Sequence, residues 1–240
     1  MKLQLVLVLL TVLTGFNAAT ARGWPGRLLW LFAALNFGLI ALAYVARAPG
    51  VWGKQPDGRL PLGRQLALLP AHALNQVAFQ AMRAFTSSRP FDEIEPGLFL
   101  GRRLTGREAE LKQFRTVLDL TAEFTEPPKL RQAANYLCVP VLDHTPPNAE
   151  QLRQALDFLA AHRADGPVLV HCAAGHGRAP LVLAALRVRT GQATNAAEAI
   201  AQLQRLRPNV RLNAAQRAAL EQPSAVRGAS GSAGESRVAP

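Results

Sequence analysis

Apolar positions follow two different patterns along this chain. In the first 47 residues they form near-unbroken runs. Residues 3–20 are interrupted only by Gln4, Asn17 and small hydroxyl or glycine residues, and residues 28–45 only by Asn36 and Gly38. Each run approaches the ~20 residues that a helix needs to cross a hydrocarbon core. The connection over 21–27, with Gly23, Pro25 and Gly26, reads as a turn between two antiparallel spans. From residue 91 onward, short β-prone runs at 97–101, 116–120, 136–142 and 168–170 alternate with helical periodicity at 106–114, 149–162, 179–189, 196–206 and 213–221. This alternation predicts an α/β domain with a mostly parallel central sheet flanked by helices. In such a sheet, ligands bind beyond the C-terminal ends of the strands.

The two patterns are joined by a stretch of different character. Residues 48–64 are rich in Gly, Pro and basic side chains, as expected of a juxtamembrane linker. Residues 65–85 contain no acid, and their apolar positions recur at helical spacing, interrupted by Pro70. That helix either lies on a bilayer surface or packs on the following domain, and the pattern supports both equally. From Ser224 onward Gly, Ser and Ala dominate, so little can be buried and disorder is expected. The expected organisation is a membrane anchor over 1–47, a basic linker and interfacial helix over 48–90, an α/β domain over 91–222 and a tail over 223–240.

The first run also has features of a cleaved signal sequence: Lys2, an apolar core and Ala19-Thr20-Ala21. A two-span hairpin is favoured because the second run follows so closely. Trp24 and Trp30 would mark one membrane interface and Tyr44 the other. Lys2, Arg47, Lys54, Arg59 and Arg64 on one side, against Arg22 and Arg27 on the other, place the α/β domain in the cytoplasm, beneath an inner or plasma membrane. A cleaved signal with one remaining span gives the same side.

Net charge sharpens this. The formal value of +11 suggests a nucleic-acid partner, but nine Lys and Arg against one acid lie within residues 1–90. Residues 91–222 carry sixteen against fourteen. The basicity therefore accompanies the apolar runs, where it reports topology and contact with anionic lipid, and nucleic acid is not an expected partner. Two cysteines, Cys138 and Cys172, make no disulfide framework, and no Cys/His spacing suits zinc, so no metal is expected.

The candidate chemistry lies between the run at 168–170 and the helical pattern at 179–189, in His171-Cys172-Ala173-Ala174-Gly175-His176-Gly177-Arg178. A strand–loop–helix with Gly175 and Gly177 turns successive backbone N–H groups toward one point, reinforced by the helix N-terminus, and makes an anion site of phosphate size. Pro180 suits the first helical turn. Cys172 at the base of the loop would have its thiolate stabilised by the same field. Arg178 can reach back to hold two phosphoryl oxygens side by side. The alternatives are a small buried cysteine at a strand end and an ordinary arginine at a helix start, where a cation is mildly unfavourable.

His-Cys, five residues, then Arg resembles the signature of the protein tyrosine phosphatase superfamily, and the chain looks most like its compact dual-specificity members, of a bacterial, membrane-anchored type. The resemblance runs over residues 94–221. It includes Ile94-Glu95-Pro96-Gly97-Leu98-Phe99-Leu100-Gly101, Val117-Leu118-Asp119-Leu120, Val139-Pro140-Val141-Leu142-Asp143, Arg205-Leu206-Arg207-Pro208 and Asn213-Ala214-Ala215-Gln216. It implies that Cys172 is the nucleophile, that Arg178 and the loop amides of residues 173–178 stabilise the equatorial oxygens, and that Asp143 is the general acid. It implies no cofactor. Without it, Asp143 could equally be a turn residue before Pro146-Pro147. His171 is expected to brace the loop by hydrogen bonds, and His72, His144, His176, Asp119 and Glu123 to be ordinary polar or structural residues.

One position departs from the family pattern. Ala179 stands where a Ser or Thr usually follows the arginine. Loss of a hydrogen bond to the departing cysteine sulfur is worth about 1.5–3 kcal/mol, about ten- to a hundredfold in rate, so a slow second step is expected. The substrate expected first is a phosphoprotein, with a phospholipid bearing one terminal phosphate as the alternative and a non-catalytic phosphate-binding module as a third reading. Ala173 and Ala174, in place of lysines, disfavour a multiply phosphorylated head group.

Overall fold

The structure, a computed structural model, describes residues 2–86 and 89–222; the tail expected to be disordered lies outside the described residues. Helices α1 (Lys2–Thr20) and α2 (Trp24–Val45) form a hairpin opened by Gly23 at φ 84°, with Pro25 in the first turn of α2. They approach closely enough that a Cβ on Gly38 would meet Thr11 Cγ2 at 3.5 Å. Both are long and apolar enough to cross a bilayer by length and composition. Among the described residues, every strongly exposed large hydrophobic residue except Leu111 and Leu206 lies between Leu5 and Phe85. A large apolar surface carried by one segment of a chain marks an interaction with something apolar.

Tyr44 departs from expectation. Trp24 is 73% exposed, as a membrane-belt residue would be, but Tyr44 is 8% exposed and packs inward. It belongs to a cluster with Leu7, Phe37 and Ile40 of the hairpin, Trp52, Leu60, Leu68 and Ala71, and Ala122 and Leu142 of the α/β domain. The hairpin, the following segment and the α/β domain thus share one core.

That packing also corrects the linker. Residues 48–64 are anchored on the domain by Trp52, Lys54 and Leu60, while most of the others are exposed. Pro49–Trp52 forms a 3-10 turn with Trp52 buried, and Lys54 reaches Asp119 of the α/β domain. Pro70 opens a helix instead of interrupting one: α3 (Leu62–Ala67) ends and α4 (Leu69–Phe85) begins with the proline in its first turn, where its missing N–H costs nothing. Of the two roles weighed for this helix, the inner face shows packing, with Ala71 and Phe79 buried, while Leu69, Val77 and Phe85 are exposed.

The sheet has five strands in the order β1-β2-β5-β3-β4: β1 (Phe91–Glu95), β2 (Leu98–Arg102), β3 (Thr116–Thr121), β4 (Asn135–Val141) and β5 (Val168–Cys172). Strands β2, β5, β3 and β4 are mutually parallel, and β1 is an antiparallel edge against β2. The alternation along β5 serves two faces. Val168, Val170 and Cys172 face a core closed by α6 (Ala149–His162), α7 (Arg178–Arg189), α8 (Ala196–Leu206) and α9 (Ala214–Leu220), while Leu169 faces Phe99, Phe114 and Leu130 on the other side. That second face is covered by α5 (Pro128–Arg131), a 3-10 turn and the segment around Lys54.

The helix expected over 106–114 is only the 3-10 turn Glu108–Glu110. Its two buried apolar residues, Ala109 and Phe114, are five apart, and residues five apart do not share a helical face. The Glu108 carboxylate is instead bound by both Arg102 Nη atoms at 2.7 and 2.9 Å and by the Thr105 N–H at 2.9 Å. Burial opposes its ionisation, but these bonds outweigh that and hold the group down to about 2.

Candidate active site

Strand β5 runs through Cys172, five residues turn, and α7 begins at Arg178. The loop conformation is set by glycine. Gly175 has φ 72°, and a Cβ there would lie 2.7 Å from Gly101 O and 2.9 Å from Arg102 N, so only glycine lets the loop rest on the end of β2. The loop is tied at both ends: the Arg103 N–H donates to Ala173 O at 3.1 Å and the Arg211 N–H to His176 O at 2.8 Å. These backbone bonds do the bracing expected of His171. The His171 ring, fully buried, has Glu126 and Asp119 carboxylate oxygens at 3.7 and 3.9 Å, beyond hydrogen-bond length.

Cys172, Ala173, Ala174, His176 and Gly177 line one cavity of about 390 Å³ together with Asp143, His144 and Glu123. Asp143 comes from the turn after β4. Thr145 Oγ1 donates to Leu142 O at 2.8 Å to form that turn, His144 adopts φ 59°, and Asn213 Nδ2 at the start of α9 donates to His144 O at 2.7 Å. The Asp143 carboxylate lies 3.0 Å from Arg178 Nη2. Burial opposes its ionisation, but the Arg178 charge, with His144 beside it, holds it below the usual carboxylate range. The expected nucleophile, arginine and acid are thus brought together.

Arg178 does not project freely into the cavity. Its side chain is 1% exposed. Both Nη atoms bind the Glu123 carboxylate, at 3.0 and 2.7 Å, and Nη1 also donates to Val141 O at 2.7 Å and Leu120 O at 3.3 Å. Burial disfavours the charge, but Glu123 and then Asp143 overcome this and keep the guanidinium ionised. Arg178 Nε has no partner among the described residues. Nη2 thus stands between Glu123, at 2.7 Å, and Asp143, at 3.0 Å, and a phosphoryl group that displaced Asp143 would take up that contact, with the buried Nε–H as a second donor beside it.

Glu123, expected to be merely structural, is the direct partner of Arg178, and Gln216, for which the sequence implies no chemical role, also joins the site. Gln216 is 2% exposed, lines the cavity, and stands so close to the loop that a Cβ on Gly177 would meet its amide at 2.9 Å. The only prior sign of either was position: an acid just past a buried strand, and a glutamine in a sequence typical of a helix start. Ala179 is fully buried and offers no hydroxyl.

Beneath the loop, on the second face of the sheet, Asp119, Glu126 and His171 form the one grouping of potential metal ligands among the described residues. The cationic charge there is supplied by Lys54, which donates to Asp119 Oδ2 at 2.5 Å. Burial and the Asp119 charge push Glu126 up to about 8, and burial holds His171 down to about 4, so both stand largely uncharged around the Lys54–Asp119 pair.

Residues 98–224 match the family model of the dual specificity phosphatase catalytic domain. No curated protein sequence matches the chain. Among solved structures, Tk-PTP in its active form is 25% identical, with a TM-score of 0.48, over 53% of this chain and 90% of its own. Human DUSP28 is 22% identical, with a TM-score of 0.47, over 56% and 94%. PTPMT1 in complex with PI(5)P is 17% identical, with a TM-score of 0.50, over 55% and 93%, a likeness of fold. Because the family match spans more than half of the chain and takes in the whole loop from Cys172 to Arg178, this protein belongs to the dual specificity phosphatases, cysteine-dependent phosphoric monoester hydrolases of the protein tyrosine phosphatase superfamily.

Proposed function

We propose that this chain is a membrane-tethered phosphatase that hydrolyses phosphomonoesters through a cysteinyl-phosphate on Cys172, with its α/β domain at the cytoplasmic face of an inner or plasma membrane. The observation that carries the reaction is the meeting of Cys172 and Asp143 in one cavity, with the Arg178 guanidinium 3.0 Å from Asp143. The apolar exposed hairpin and the basic residues beside it support the tether. Phosphorylated protein side chains and phospholipid head groups both carry the required ester.

In the first step Cys172 Sγ attacks phosphorus, an S–P bond forms and the ester P–O bond breaks. Loop amides and Arg178 hold the equatorial oxygens as charge develops on them. Asp143 donates its proton to the leaving oxygen. In the free site it is ionised against Arg178; an arriving phosphate dianion takes over the guanidinium and, as a like charge, raises the affinity of Asp143 for a proton. In the second step water attacks phosphorus, Asp143 takes the water proton, the S–P bond breaks, and inorganic phosphate and the thiolate are released.

The test is p-nitrophenyl phosphate hydrolysis by the detergent-solubilised full chain and its Cys172→Ser variant. Turnover by the wild type and none by the variant is expected. Equal rates for the two, or no turnover by either, would remove the reading.

A further inference from the structure

The cavity over Cys172 has two kinds of wall. Its floor is the phosphate loop with Asp143. The other wall comes from outside the α/β domain and is mostly apolar: Leu3 of α1, Tyr44 of α2, and Ala78, Phe79 and Met82 of α4, with the polar Asn75 of α4 beside them. Phe79 seals this wall to the loop by packing on Phe124 and Ala173. Leu3 and Tyr44 stand at the ends of the two membrane-length helices, so this wall is built from the same helices that carry the exposed apolar residues Leu5, Leu9, Leu42 and Val45.

The level of the opening follows from α2. Asn36 Nδ2 donates to Ala67 O at 3.1 Å, which fixes the α3–α4 junction beside a point nine residues back from Val45. At 1.5 Å per residue this is ~14 Å along the helix, inside one leaflet if α2 crosses a bilayer. Residues 58–91 carry no acid, and Leu62, Leu66, Leu69 and Val77 are exposed around that junction. The mouth of the cavity, between α4 and the helix ends, then sits at head-group depth. Among the described residues lining the cavity, the fixed positive charge is Arg211, beside His144 and His176. That suits one phosphate and gives a polyphosphorylated group little to bind.

We propose, building on the phosphatase reading above, that the substrate is a glycerolipid with a single terminal phosphomonoester, entering sideways from the leaflet that holds α1 and α2. Its phosphate reaches the loop while its acyl chains stay against Leu3, Tyr44 and Met82. Turnover breaks the lipid P–O ester bond, leaves the lipid alcohol in the leaflet, and releases inorganic phosphate to water after hydrolysis of the S–P bond. The flanks of a phosphoprotein would have to displace lipid from this same wall.

The experiment reconstitutes the full chain in phosphatidylcholine vesicles. It compares Cys172-dependent phosphate release from dioleoyl phosphatidic acid, dioleoyl phosphatidylglycerol phosphate, soluble glycerol 3-phosphate, a tyrosine-phosphorylated peptide and p-nitrophenyl phosphate. One of the two lipids is expected to exceed glycerol 3-phosphate at least about 100-fold in kcat/KM, because only the lipid brings apolar chains to the wall. Met82→Glu is expected to lower the ratio of lipid to p-nitrophenyl phosphate turnover at least about tenfold. The wild-type comparison decides the matter even if that variant does not fold. Phosphopeptide turnover faster than both lipids, or lipid turnover no better than glycerol 3-phosphate, would overturn the lipid assignment and leave the phosphatase reading standing. Absence of turnover on every ester, p-nitrophenyl phosphate included, would remove both.

Discussion

Lys54 and Arg178 are both buried cations held by carboxylates at the end of β3, Lys54 by Asp119 and Arg178 by Glu123. They differ in what is left over. An ammonium has three donors, and Lys54 directs its own at Asp119 Oδ2, Thr121 O and Thr121 Oγ1, at 2.5, 2.9 and 2.7 Å. Nothing remains for a ligand, and no solvent reaches it. Arg178 is as deeply buried, but among the described residues its Nε has no partner, and its Nη2, bound to Glu123, also meets an acid that is 41% exposed on the cavity. A saturated buried cation clamps two parts of a fold together. A buried cation with donors in reserve can receive an anion, because its desolvation is already offset by Glu123 before any ligand arrives.

Replacing each cation gives the largest separation between the two. Arg178→Ala is expected to lower kcat/KM on p-nitrophenyl phosphate at least about 10³-fold, through loss of transition-state charge stabilisation. Lys54→Met strands Asp119 and is expected to destabilise the fold by about 3–5 kcal/mol, with turnover per folded molecule kept. Denaturant unfolding beside initial rates reads both effects, and a Lys54 variant that is stable but inactive would break the comparison. Next in size, Glu123→Gln should reduce kcat/KM about ten- to a hundredfold, as Arg178 loses its charged partner and its fixed orientation; an unchanged rate would make Glu123 dispensable to the site.

Ala179→Ser should restore a hydroxyl beside the departing sulfur. In rapid quench, the wild type is expected to show a burst of alcohol release ahead of slow phosphate release, and the serine variant a second step faster by about ten- to a hundredfold. Without a wild-type burst, breakdown of the phospho-enzyme is not the slow step.

The smallest effect is on pH dependence around Lys54. His171, held at about 4 against an ordinary 6.5, contributes stability that is present above 6.5 and lost as pH falls toward 4. Glu126, raised to about 8 from 4.5, contributes stability that is present below 4.5 and lost as pH rises through 8. The two slopes oppose each other between 4.5 and 6.5, and Glu126 acts alone from 6.5 to 8. Over that window stability should fall by on the order of 1 kcal/mol per pH unit, and Glu126→Gln should flatten it.

What the chain alone determined is local. The spacing from Cys172 to Arg178, with two glycines between an apolar strand and a proline-started helix, specifies a phosphate loop because every constraint falls within a few residues. The same holds for two apolar helices joined through Gly23-Trp24-Pro25. Strand β1 was missed because Phe-Asp-Glu-Ile-Glu is a polar edge strand whose pairing with β2 carries the signal. Tertiary structure alone decided the partners. Arg178 meets Glu123 across 55 positions and Lys54 meets Asp119 across 65, and no periodicity spans such gaps. It also drew Trp52 and Leu60 of a glycine- and proline-rich linker into the core and set Leu3 and Tyr44 beside Cys172 in one cavity. A helix carries its apolar face in its own sequence; what that face covers depends on the rest of the chain.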